Sequence, residues 1–186
     1  MAVLPILTAP DPRLKKISKP VDKVDAEVRQ LMDDMLETMY LAPGIGLAAP
    51  QLGVLKRVIV VDIQREGVAT GPLVMANPEI VDVSDEDASY EEGCLSVPEH
   101  YAEVSRPAKV KIRYLDRDNE IRTMEAEGLV STCLQHEIDH LDGILFIDKI
   151  SALKRNMILR KLVKARKDAA DGLAPDPHRS PEKASL

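Results

Sequence analysis

Residues 129–143 read "LVSTCLQHEIDHLDG". The spacing predicts a helix from about Leu129 to Leu141 that stops at Gly143, because glycine just past the last turn is a common helix terminator. On such a helix, positions i and i+4 differ by about 40° around the axis, so His136 and His140 project side by side and can share one metal ion. Glu137 is turned about 60° to 100° away from them. It sits beside the ion, within reach of a bound water, where a carboxylate can act as general base. The pattern HExxH is short, and an amphipathic helix with two buried or surface histidines also matches it, so a third ligand decides its meaning.

The continuation "HEIDHLDGILF" carries the glycine of HExxHxxGxxH at Gly143, but the final position is Phe146, which has no donor atom. A downstream glutamate would serve instead, yet the only one after His140 is Glu182, in the terminal tail. Both zinc-protease patterns therefore lack their third ligand. Cys133 shares the helical face of His136, but the metal level lies about 7.5 Å along the axis, too far for a Zn–S bond of about 2.3 Å. It reads as a small wall residue beside Leu129 and Thr132. Cys94, in "EEGCLSVPEH", belongs to another segment and can close the site from the opposite side. A set of Cys94, His136 and His140 leaves one tetrahedral position open, which marks a catalytic centre. An ordinary buried free cysteine is the competing reading of Cys94. His100 and His178 fit no motif and are read as non-ligands.

Outward from this helix, Val28, Leu31, Met32, Met35, Leu36 and Met39 form one buried stripe over Asp25 to Tyr40, a first helix broken at Pro43 and Gly44. "KRVIVVDI" and "PLVMANPEIVDV" read as strands, and "SDEDASYEEG" as an acidic loop. "AKVKIRYLD" and "EIRTMEAEG" flank Asp118 and Asn119 and read as a hairpin. Ser151 caps a third helix, "ALKRNMILRKLVKARKDAA". Segregated strands and helices predict an α+β fold. We expect one domain over residues 1–168 and a polar, proline-rich, disordered tail over 169–186.

Composition narrows the function classes. A net charge of −6 argues against broad nucleic-acid binding, and the absence of Trp with a single Phe argues against base stacking. Two cysteines make no disulfide scaffold. The opening "MAVLPILTAPDPRLKK" has neither the length nor the charge order of a signal peptide or membrane span, so a reducing cytoplasm is expected. "GIGLAAPQ", Gly44 to Gln51, matches GxGxxA, but a helix precedes it and a strand follows, the reverse of a dinucleotide site. No dinucleotide cofactor is expected. The stretch reads either as a plain turn or as a loop where a substrate backbone approaches and Gln51 offers an amide donor to an oxyanion.

Together, "GIGLAAPQ", "EGCLSVP" and "QHEIDHLDG" resemble, in that order and spacing, the three signature motifs of peptide deformylases, over about residues 1–167. The resemblance implies antiparallel strands around the central metal-binding helix, with a C-terminal helix. It implies removal of the formyl group from the N-terminal formylmethionine of new polypeptides, releasing formate. Cys94, His136 and His140 match the metal ligands, Glu137 the acid/base, and Gln51 and the backbone N–H of Leu95 the oxyanion donors. The family generally uses Fe²⁺, which Zn²⁺, Ni²⁺ or Co²⁺ can replace. Gly46 and Gly93 would contact the peptide backbone; Ile45, Tyr90, Leu129, Thr132, Cys133 and the edge of His136 would line the methionine pocket. Glu92 and Arg106 match an ion pair that braces the metal loop. Tyr101 stands where some members have arginine. The third helix carries Lys154, Arg155, Arg160, Lys161, Lys164, Arg166 and Lys167, either a solvated face or, as in some bacterial members, a ribosome contact. A different amidohydrolase and a non-catalytic metal protein are the competing function classes.

Overall fold

The Asp25 carboxylate accepts the backbone N–H of Val28 at 3.0 Å, and that cap opens α1, Ala26–Leu41. Val28, Met32, Met35, Thr38 and Met39 of this helix turn inward. The structure is a computed structural model, and it describes residues 2–65 and 67–171. After α1 come β1, Gly46–Ala48, a 3-10 turn over Ala49–Leu52, and β2, Val58–Val61. A short hairpin of β3, Gln64–Arg65, and β4, Val68–Ala69, leads to β5, Leu73–Val83. β6, Asp87–Cys94, and β7, Val97–Pro107, precede β8, Lys109–Leu115, and β9, Ile121–Glu127. Then come α2, Gly128–Leu141, a 3-10 turn over Phe146–Lys149, and α3, Ala152–Ala170, capped by Ser151.

Five strands pair antiparallel in the order β1-β2-β5-β8-β9. The unbroken apolar run of β2 follows from cover on both faces. Val58 and Val60 pack with Met32, Met35 and Met39 of α1, whereas Ile59 and Val61 join Leu134, Ile138 and Leu141 of α2. The sheet therefore lies between α1 and α2, and each such buried aliphatic side chain contributes about 1.5–3 kcal/mol. α3 is seated separately: Ile158 and Leu162 pack with Phe146 and Ile147 and with Val97 and Val104 of β7. This is the α+β arrangement the sequence predicts, with antiparallel strands around α2 and a helix at the C-terminal side.

One expectation fails. The acidic stretch 84–93 is not a loop, because from Asp87 onward it is β6, paired with β7 in a two-stranded ribbon. Asp87, Ser89 and Glu91 are exposed while Ala88, Tyr90 and Glu92 turn toward cover. A ribbon covered on one side keeps a period of two, but charged residues on both faces hid it. At the other end α3 ends at Ala170, where the quoted helix ends, and so includes the first two residues of the expected tail. The rest of the predicted tail, from residue 172, lies outside the described residues, as does His178.

Candidate active site

α2 carries His136 and His140 with ring centroids 4.9 Å apart and planes crossing at 73°. Cys94 ends β6, and the turn of Leu95 and Ser96 into β7 brings it over the helix, with Sγ 3.3 Å from His140 Nε2. The Cys94 thiol and one ring nitrogen of each histidine all lie within 4.8 Å of one another. Three residues that the sequence offers from two segments thus converge.

The donor set fits a metal ion. A thiol with two imidazoles suits soft and borderline divalent cations. Burial and the neighbouring His136 keep the His140 pKa well below its ordinary value, so this ring is in the neutral form that ligates. For His136, burial opposes the cation but is outweighed by hydrogen bonds to Cys94 and Glu92, and its pKa lies well above the ordinary value. The proton it holds is one that an arriving cation would displace. Cys133 is not part of the set: burial pushes its thiol well up, and Sγ faces the Ile45 carbonyl at 3.8 Å. His100, within β7, donates from Nδ1 to the Pro98 carbonyl at 2.8 Å, a local contact apart from the three clustered donors.

Glu137, 4% exposed, follows His136 on α2. Burial pushes its carboxyl up to about 7, close to the pH at which it would both take and return a proton. Its Oε2 is buried without a hydrogen-bond partner among the described residues. Such an orphaned acceptor is costly unless a ligand satisfies it. The glycine of β1 makes this packing possible, since a Cβ on Gly46 would strike Glu137 Oε1 and come within 3.0 Å of Cys133 Sγ.

Gln51 sits in the 3-10 turn after β1, almost fully buried. Its Oε1 accepts the Ala48 N–H at 2.8 Å, which fixes the amide so that Nε2 points to Ser96 Oγ at 3.1 Å and Cys94 Sγ at 3.6 Å. Glu92 and Arg106 pair as predicted, through Nε at 2.5 Å and Nη2 at 2.9 Å. Glu92 Oε2 also accepts His136 Nδ1–H at 2.9 Å, which leaves Nε2 for the ligand side. Arg106 Nη1 donates in addition to Asp139 at 2.7 Å.

A cavity opens beside these groups. Ile45, Gly46, Gly93, Leu129, Thr132, Cys133, His136 and Glu137 line it, together with Gln51, Cys94 and Leu95. Tyr90, on β6, brings its hydroxyl near Gly128, the residue before Leu129 at the start of α2. Sequence reasoning missed three residues here. Ser96 receives the Gln51 amide, Asp139 holds Arg106, and the Phe146 ring stacks on His136 at 6.1 Å. Only Asp139 carried a signal, as a carboxylate inside the histidine motif. Phe146, where a protease would place a ligand, supplies an apolar wall instead.

Residues 3–156 match the family model for polypeptide deformylase. A peptide deformylase of Mesorhizobium japonicum is 56% identical over 172 residues, covering 92% of this chain and 98% of that protein. One from Agrobacterium fabrum is 58% identical over 165 residues, covering 89% of this chain and 97% of its own. The crystal structure of peptide deformylase from Ehrlichia chaffeensis superposes with a TM-score of 0.88 at 40% identity, covering 91% of this chain and 99% of that one.

Proposed function

Since the chain belongs to the polypeptide deformylase family, we propose that Cys94, His136 and His140 hold one metal ion, beside which Glu137 serves the hydrolysis of N-terminal formyl groups. The substrate is the formylmethionine end of a newly made polypeptide, and the products are formate and a free α-amino group. What carries the assignment of residues is the convergence of three donor atoms within 4.8 Å beside a buried, partnerless carboxylate.

When bound, the metal lowers the pKa of a water and polarises the formyl oxygen. Glu137 takes a proton as the water oxygen bonds to the formyl carbon, then returns it to the nitrogen as the carbon–nitrogen bond breaks. Gln51 Nε2 and the backbone N–H of Leu95 donate to the oxygen that gains charge; these donors are in place before reaction and need no reorganisation. β1 is an edge strand, so the main chain of Gly46, with that of Gly93 opposite, is available to pair with an extended peptide. Ile45, Leu129, Thr132 and Cys133 form the apolar wall for the methionine side chain.

Fe²⁺ is the working ion in this reading, with Zn²⁺, Ni²⁺ and Co²⁺ as replacements, and the reaction belongs in the cytoplasm where nascent chains emerge. No described helix is long and apolar enough to cross a membrane. A formyl-Met peptide tests the reaction: formate and an intact free-amine peptide are expected, and cleavage of internal bonds would contradict it. Metal analysis after anaerobic purification tests the ion.

A ribosome contact through α3 is the second part of the proposal. Ile158 and Leu162 dock the helix while Lys154, Arg160, Lys161, Lys164, Arg166 and Lys167 remain exposed, a distribution suited to phosphates. Replacing Arg160, Lys161 and Lys164 by alanine should abolish co-sedimentation with ribosomes at low salt, and unchanged binding would refute it.

A further inference from the structure

We infer that Asp139 is a positioning residue for the metal centre, acting through Arg106 and Glu92 on His136; the inference rests on the metal reading above. Asp139 precedes His140 on α2 but faces Arg106, with Oδ2 2.7 Å from Nη1. The other guanidinium nitrogens that bond, Nε and Nη2, go to Glu92 at 2.5 and 2.9 Å. Two carboxylates therefore share one guanidinium whose side chain is 4% exposed. Lys149 Nζ approaches the same Asp139 oxygen at 3.3 Å from the more open side. The sequence Lys149, Asp139, Arg106, Glu92 alternates in sign and has no net charge.

The sharing has a chemical consequence. Glu92 Oε2 accepts the Nδ1–H of His136 at 2.9 Å, and a stronger acceptor at Nδ1 makes Nε2 the better donor to a metal. An Arg106 committed to Glu92 alone would neutralise that carboxylate and weaken the push on His136. Asp139 draws part of the guanidinium's charge away and leaves Glu92 the stronger acceptor. Asp139 also ties α2 to β7, on which Arg106 lies, and through Glu92 to β6, which ends at Cys94. One carboxylate thereby holds the strand that bears the thiol against the helix that bears both imidazoles.

A plain structural brace and a positioning role separate in metal release. The protein is loaded with Co²⁺, mixed with excess chelator, and followed by loss of the cobalt–thiolate absorption. Native protein that never shows this absorption overturns the metal reading and the inference with it. Asp139→Asn keeps the shape and an acceptor oxygen but loses the charge, and should release cobalt about threefold faster than the native protein. Asp139→Ala should release it about tenfold faster, at the low end of the effect of outer-shell partners. With formyl-Met peptide, kcat should fall while KM holds. A brace alone would lower the melting temperature of the metal-free variants without changing release. Release from Asp139→Asn at the native rate overturns the inference, whatever its melting temperature.

Discussion

Replacing Gly46 by alanine puts a methyl group where the Glu137 carboxylate stands. Besides striking Oε1, the new Cβ would lie 2.9 Å from Glu137 Cδ and 3.0 Å from Cys133 Sγ. Gly46 is held to Val61 of β2 along one side of the edge strand, and Leu134 and Ile138 anchor α2 in the core, so neither backbone yields easily. The carboxylate yields instead. A retreat of about 1 Å by a catalytic group can cost about 10²-fold in rate, while overpacking of this kind costs about 1–3 kcal/mol of stability. We predict that kcat/KM for a formyl-Met peptide falls by about two orders of magnitude in a protein that still folds. Gly44→Ala is the control: its Cβ meets Leu95 Cδ1 at 2.7 Å, the end of a half-buried side chain that can rotate, so its loss should be far smaller. If Gly46→Ala folds and keeps kcat/KM within about threefold of the native value, Glu137 is not held against Gly46 and the reasoning fails.

Gly143→Ala should lower the melting temperature by about 5 to 15 °C. Its φ of 72° disfavours a side chain, and the Cβ would lie 2.5 Å from the Lys15 carbonyl oxygen, forcing backbone apart. Gly71→Ala, at φ 65° with nothing within 4 Å, bears only the conformational cost, so equal losses would refute the Lys15 contact. Asp33 accepts two hydrogen bonds from Arg117, at 2.6 and 2.8 Å, which hold its carboxyl below the ordinary value. A depressed pKa contributes stability above the unfolded value near about 4 that is lost as pH falls through the folded value. Asp33→Asn should therefore be less stable than the native protein by up to about 1 kcal/mol at neutral pH, with the gap closing in acid. A gap that does not change with pH contradicts the assignment.

What was legible in the sequence follows from local chemistry. Ser151 caps the helix it precedes, and Gly143 stops α2, because caps and terminators act within one turn. The histidine pair was legible for the same reason, since helical spacing alone sets it. Cys94 became a ligand candidate by elimination, when Phe146 and the tail offered no donor. The β6–β7 ribbon was hidden because Asp87, Glu91 and Glu103 face solvent, and its pairing is a tertiary fact. The role of Ser96 and the triangle of Glu92, Arg106 and Asp139 depend on that same pairing: Ser96 reaches Gln51 across 45 positions, and Asp139 reaches Arg106 across 33.

The central claim is that a metal held by Cys94, His136 and His140 works with Glu137 on a formyl group. Glu137→Gln tests it most directly, with metal content and formate release measured on the same sample. The amide fills the same space but neither takes nor returns a proton, so the metal should remain bound while turnover falls by about 10²- to 10⁴-fold. Turnover near the native level with the metal in place would contradict the account.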